Sequence, residues 1–156
     1  QIGKNVRIHE RASIYGTENI FLGDDIRIDD FVVIIATGSL RVGSRCSIHN
    51  FCFFGAKKGI TIGDDCTFAP GVNVFSSNDD YLSDSGHGVF VDSAKEKRIE
   101  APVLISNSTL VGAGSVILPG VQIGQAVSIA ALSLVKNDIE SRQLMAGIPE
   151  KAIKVK

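Results

Sequence analysis

The chain has 156 residues, 44% of them hydrophobic and 21% charged, with a net charge of −1 at neutral pH. That balance is that of a globular chain, not a disordered one, and supplies no basic field for nucleic acid. No apolar run approaches the roughly 20 residues a membrane span needs, and the length fits one domain, residues 1–156.

Sixteen glycines, abundant Ile and Val and no Trp tilt the composition toward strand. Gln1 in place of a Met points to a native start further upstream, and no cleavable leader is evident. The cysteines, Cys46, Cys52 and Cys66, are odd in number and lack metal-ligand spacing. Free thiols in a reducing, cytoplasmic protein are the expectation.

In chain order, bulky apolar residues fall at Ile2, Ile8 and Ile14, then at Leu22, Ile28 and Ile34. They continue at Val42, Ile48 and Phe54, then at Ile62, Phe68 and Val74. The steps are six, six and eight, so each block advances by twenty. A second series runs two residues earlier: Val6, Ala12, Ile20, Ile26, Val32, Leu40, Cys46, Cys52, Ile60, Cys66 and Val72. Residues two apart in a strand share a face, so both series point inward. The pattern predicts a parallel β-helix, a triangular prism of about six coils with three short strands in each. Gly3, Gly23, Gly43, Gly63 and Gly124 form a third column, expected at corners that need left-handed backbone angles. The eight-residue steps place two extra residues at one corner only, around positions 16–19, 36–39 and 56–59.

The period then breaks. Residues 76–102, SSNDDYLSDSGHGVFVDSAKEKRIEAP, bulge from that same corner. A long polar loop on a rigid scaffold is a usual place for binding and chemistry. From Val103 the repeat resumes, with Ile105, Val111, Ile117, Ile123, Ile129 and Val135 in unbroken steps of six. Residues 137–156 are expected to cap the prism.

The run LISNSTLVGAGSVILPGVQIGQAVSIAALSLVKNDI, followed by AGIPEKAIKV, resembles the hexapeptide-repeat acyltransferases. The likeness is greatest to the maltose and galactoside O-acetyltransferases and to sugar acetyltransferases of surface-polysaccharide synthesis. It implies an all-β, left-handed parallel β-helix, a homotrimer with active sites between protomers, and acetyl-CoA as acyl donor. It further implies a cofactor groove lined by Ala113, Ala131, Lys136 and the turn at Gly147, with Lys151 meeting the outer phosphates. Small residues there let an extended pantetheine arm lie against the backbone, and a lysine supplies a point charge for phosphate. Lys136-Asn137 stands where the family usually has Thr-Lys.

Acyl transfer to a hydroxyl or amine needs a group to take the acceptor's proton, and histidine suits this. The resemblance implies a histidine five residues after Val74, where this chain has Asp79, or three after, where it has Ser77. What stands there, Ser76-Ser77-Asn78-Asp79-Asp80-Tyr81, resembles a branch of the family with an SxxDDY-like run. Asp79 or Asp80 is therefore the expected base or acceptor-orienting group, since two adjacent carboxylates repel each other and partial burial disfavours ionising both. Ser77, Asn78 and Tyr81 are expected to contact the acceptor. Two histidines rival them: His87 in the Ser-Gly-His-Gly stretch, and His49, whose slot matches that of His9 two coils away with Asp29 between.

O-acetylation of a sugar is the first expectation, and N-transfer to a nucleotide-linked amino sugar the second. Enzymes of the second kind usually carry an additional N-terminal nucleotide-binding domain. A zinc hydratase on the same prism needs three converging histidines, and His9, His49 and His87 lack the paired spacing; no metal is expected. A scaffold subunit that had lost its base is the remaining alternative, and it predicts no stabilisation by coenzyme A.

Overall fold

The computed structural model describes residues 1–82 and 97–155, with side chains through Ile153. The chain winds as a left-handed parallel β-helix of about six coils. Its first face stacks Arg7–Ile8, Arg27–Ile28, Ser47–Ile48, Thr67–Phe68, Leu110–Val111 and Ser128–Ile129. The second stacks Ser13–Tyr15, Val33–Ile35, Phe53–Gly55, Asn73–Phe75, Val116–Ile117 and Leu134–Val135. The third stacks Ile20–Leu22, Leu40–Val42, Ile60–Ile62, Val103–Ile105 and Gln122–Ile123. Register is strict: Ile8 lies over Ile28, then Ile48, Phe68, Val111 and Ile129.

Both inward series are buried from Ile20 onward, and Phe54 and Phe68 meet edge to face at 5.2 Å on the axis. The smaller inward slots are filled by Cys46, Cys52 and Cys66, all unbridged, and later by Thr109, Ser115 and Ser133. Each of these buried hydroxyls donates to a backbone carbonyl, Thr109 Oγ1 to Ser106 at 2.8 Å, Ser115 to Ala130 at 3.0 Å and Ser133 to Ala130 at 2.7 Å, so polarity inside costs little. Burial pushes the Cys52 thiol up to about 11, so it is a core filler and not a reactive thiol.

The stack runs on into the segment expected to cap it. Ile139 bridges Ile123, and Gln143–Ala146 pairs in parallel with Ser128–Ile129. Lys151–Val155 then turns back antiparallel on Gln143–Ala146 and closes the first face.

The glycine column has a different cause from the one expected. None of Gly3, Gly23, Gly43, Gly63 and Gly124 has a positive φ. A Cβ on Gly43 would lie 2.6 Å from the Gly63 carbonyl carbon and 2.4 Å from Asp64 Oδ1. Close approach of the next coil excludes a side chain there. The left-handed residue falls two positions later, at Asn5, Asp25, Arg45, Asp65 and Ala126. Between the two positions, polar side chains cap successive coils. Asp64 Oδ1 accepts the Ser44 N–H at 2.7 Å, Ser44 Oγ accepts that of Asp24 at 3.0 Å, and Asn107 accepts that of Asp64 at 3.0 Å.

Two substitutions separate these causes. Gly43→Ala is expected to lower stability by about 1–3 kcal/mol through backbone overlap. Ala126→Gly, at φ 57°, is expected to raise it by up to about 1 kcal/mol by relieving left-handed strain. Chemical denaturation of the two variants checks both signs.

Candidate functional site

The extra residues of coils two and three and the long loop leave from one edge, between the second and third faces. Ala36 and Ala56 turn inward there, and Ser76 takes the same slot in coil four. Its hydroxyl donates to the Gly55 carbonyl at 2.9 Å and accepts the Lys58 N–H at 2.9 Å, so the loop leaves from a fixed point.

Beyond Ser76, Ser77–Asp79 pairs antiparallel with Arg98–Glu100, so both ends of the loop form one hairpin. Lys57 Nζ lies 2.5 Å and Lys58 Nζ 3.1 Å from the two Glu100 carboxylate oxygens, which ties the returning strand to coil three. The two ammonium groups hold the Glu100 carboxyl at about 2, well below the usual carboxylate range. Asp79 faces Arg98 at 3.7 Å. Asp80 accepts the Leu82 N–H at 3.1 Å, and Asn78 Oδ1 accepts from the Tyr81 hydroxyl at 3.3 Å. The neighbouring carboxylates thus have separate partners, one a guanidinium and one a turn amide. A groove of about 440 Å³ runs beside the hairpin along the second face, with Ile35, Phe53 and Phe75 as floor and Lys57, Ser77 and Arg98 as rim. Wider depressions of about 620 and 550 Å³ lie on the third face, around Ser106 and Ser141, away from the hairpin.

The edge between the first and second faces carries the other candidates. Asp29, with its side chain 4% exposed, receives Arg27 through two bonds of 2.6 and 3.0 Å and His49 Nδ1 at 3.1 Å. Burial alone would raise the Asp29 pKa; Arg27 and then His49 outweigh it, and the carboxyl sits below its ordinary value. An ionised carboxylate only accepts, so Nδ1 is the donor; in the neutral tautomer that leaves the lone pair on Nε2. His9 lies 3.8 Å from Asp29 and 3.9 Å from Asp30. Ala113, Ala131 and Gly147 occupy later rungs of this edge. The Leu132 N–H bonds the Ala113 carbonyl at 2.8 Å, and the Leu134 N–H bonds that of Gly147 at 3.0 Å. Lys136 sits instead at the far side of the second face, its N–H 3.3 Å from Glu150 Oε2, and Lys151 is exposed opposite Ala146 in the final strand.

Within one chain, then, Ser77, Asn78, Asp79, Asp80 and Tyr81 gather on one edge, and His49 with Ala113, Ala131 and Gly147 on another. His87 lies outside the described residues. Among those described, no three His, Cys, Asp or Glu side chains gather as a metal site, and no helix is long and apolar enough to cross a membrane. The sequence reading missed Arg98, Glu100 and the two lysines that dock the hairpin. The one available signal was Lys57-Lys58 in the extra corner of coil three, beside the loop that returns an acidic residue.

No family model matches the chain. It is 34% identical over 153 residues to the dTDP-4-amino-4,6-dideoxy-D-glucose acyltransferase of Escherichia coli, covering 97% of this chain and 80% of that enzyme. The 2,3,4,5-tetrahydropyridine-2,6-dicarboxylate N-acetyltransferase of Enterococcus faecalis is 41% identical over 54 residues, 35% of this chain and 23% of that enzyme. A serine variant of AntD, an N-acyltransferase from Bacillus cereus solved with dTDP-4-amino-4,6-dideoxyglucose and coenzyme A, superposes with a TM-score of 0.94. Identity is 29%, and the match covers 99% of this chain and 82% of that one. A hexapeptide-repeat acetyltransferase of Vibrio cholerae, solved with acetyl coenzyme A, shares the fold at a TM-score of 0.71 and 19% identity, over 92% and 70% of the two chains.

The Glu100 clasp carries a pH dependence. Its folded pKa of about 2 lies below the unfolded 4.5, so its contribution is present above about 4.5 and is lost as pH falls toward 2. Amide exchange protection at Asp80 and Ala101, whose N–H groups bond across the hairpin to Lys97 and Ser76, is expected to fall over that interval. Glu100→Gln is expected to show the same loss at neutral pH while coil amides stay protected.

Proposed function

This chain belongs to the hexapeptide-repeat acyltransferases, and from that premise we propose that it transfers an acyl group from coenzyme A to the amino group of a dTDP-linked amino sugar. The observation that carries the reading is the match along nearly the whole chain to an enzyme acting on dTDP-4-amino-4,6-dideoxy-D-glucose. AntD, similar over the same length, is an N-acyltransferase solved with that amino sugar and coenzyme A, and also with 3-hydroxybutyryl-CoA. Of the two acceptors expected from the sequence, these relatives favour the amine over the sugar hydroxyl.

The neutral amine attacks the thioester carbonyl, a C–N bond forms, and the C–S bond breaks. The nitrogen gives up one proton to a base, and the departing sulfur takes one up. In this reading Ala113, Ala131, Lys136 and Gly147 line the coenzyme A groove, and Lys151 meets the outer phosphates. Asp79 or Asp80 accepts the proton or orients the amine, with Ser77, Asn78 and Tyr81 beside them. A homotrimer would bring the hairpin of one protomer to the Ala113–Gly147 edge of the next, and so join groups that one chain keeps apart. His49, fixed by Asp29, is the rival base, and His87 remains a candidate on the loop.

Incubation with acetyl-CoA and dTDP-4-amino-4,6-dideoxyglucose is expected to release free thiol and to give an N-acylated sugar by mass spectrometry. Thiol release with a free sugar and none with the amino sugar would sink the reading. Asp79→Ala and Asp80→Ala are expected to cut turnover about 10²-fold or more, the usual scale for a lost general base, with coenzyme A binding retained. Full activity in both, with loss in His49→Ala, would reassign the base to His49.

A further inference from the structure

One corner position of the first-to-second edge recurs in every coil as Arg11, Phe31, Phe51, Gly71, Gly114 and Leu132. The first three form a column. Phe31 and Phe51 stack at 5.3 Å with their rings 3° apart, and the Arg11 guanidinium lies 5.6 Å from the Phe31 centroid. The arrangement is costly on two counts. Phe31 and Phe51 hold φ of 61° and 63°, a region unfavourable for any residue with a Cβ, and their side chains face water, 44% and 64% exposed. Glycine makes the same turn at Gly71 and Gly114, so the turn itself does not call for phenylalanine.

The column then stops at a gap with two walls. A Cβ on Gly71 would meet nothing nearer than the Gly114 nitrogen at 3.7 Å, so crowding does not demand glycine there. One rung further, Leu132 leans back over coil five, its Cδ2 2.8 Å from where a Gly114 Cβ would be. Phe51 therefore closes rung three, Leu132 covers rung five, and among the described residues nothing crowds rung four above Gly71. Two coil repeats span about 10 Å, which leaves room for one planar ring at stacking distance from each wall.

We propose that this slot takes a nucleobase, and specifically the thymine of a dTDP-linked acceptor, stacked on the free face of Phe51. The proposal rests on the acceptor reading given above. The apolar walls, Phe51 and Leu132, suit stacking, which every base offers. The slot adjoins Ala113 and Ala131 on the same edge, so a base held there keeps its sugar near the proposed thioester path. The adenine of coenzyme A has the same chemistry, and separate titrations distinguish the two sources.

dTDP and coenzyme A are titrated one at a time into wild type, Phe51→Ala and Gly71→Phe, with the oligomeric state of each followed by light scattering. Phe51→Ala is expected to weaken dTDP binding about five- to a hundredfold, and Gly71→Phe, which extends the column by one ring, to abolish it. Coenzyme A binding and oligomeric state are expected to stay unchanged. Failure of wild type to bind dTDP would defeat the acceptor reading and the slot with it. Equal dTDP binding in all three proteins would overturn the slot and leave the acceptor reading standing. A loss confined to coenzyme A would assign the slot to adenine, and a change in oligomeric state would make Phe51 a subunit contact; either outcome overturns the proposal.

Discussion

Backbone hydrogen bonds between successive coils hold every residue directly above its counterpart one turn away. Ile34 sits over Phe54 and Val74, and Leu40 over Ile60 and Val103, without slippage. Because side chains alternate between faces, a slip by one residue would expose the whole inward series. The core therefore enforces register, and register turns each edge into a column. The third-to-first edge becomes a ladder of Asp, Ser and Asn caps, and the first-to-second edge a line that changes from aromatic to small.

The long loop can interrupt this stacking because its two ends leave and return at the same place. Ala36, Ala56 and Ser76 hold one slot, so the coil beneath the excursion is no different from its neighbours. An exposed ion pair is worth little alone. At Glu100 two lysines and the Ser77 hydroxyl converge on one carboxylate, and the strand register pairs Ser77 with Glu100 directly. The clasp draws the two ends of the excursion together beside the prism.

The fold was legible in the sequence because period is a one-dimensional signal, and here side-chain size and period agree through Val135. The column of glycines was found and its cause misread: a sequence shows that a corner needs glycine, not whether φ or a neighbouring coil demands it. The site was legible only in part. Ser77 to Tyr81 could be located by counting from Val74, since the solenoid fixes where the loop must leave. That Asp79 would face Arg98, across a gap of nineteen positions, could not, because hairpin pairing inside an aperiodic segment has no periodic trace. His49 and Asp29 were seen to share a column, yet the Arg27 fork that keeps Asp29 ionised joins residues of the same coil, two apart in sequence, and leaves no mark in the repeat.

The missing histidine at the loop position bears on the acceptor. A hydroxyl is a poor nucleophile until its proton is leaving, so O-transfer depends on a base whose pKa lies near the working pH. An amine that is already neutral attacks with its lone pair and sheds its proton after the C–N bond has begun to form. The demand on the base is then lighter, and positioning the amine against the thioester matters more. A hairpin that offers carboxylates, an amide and a phenol, but no histidine at Ser77 or Asp79, suits the second requirement better than the first. On that argument the proposed amine acceptor would account for the departure from the sugar O-acetyltransferase pattern, in line with the amino-sugar chemistry of the relatives that match along nearly the whole chain.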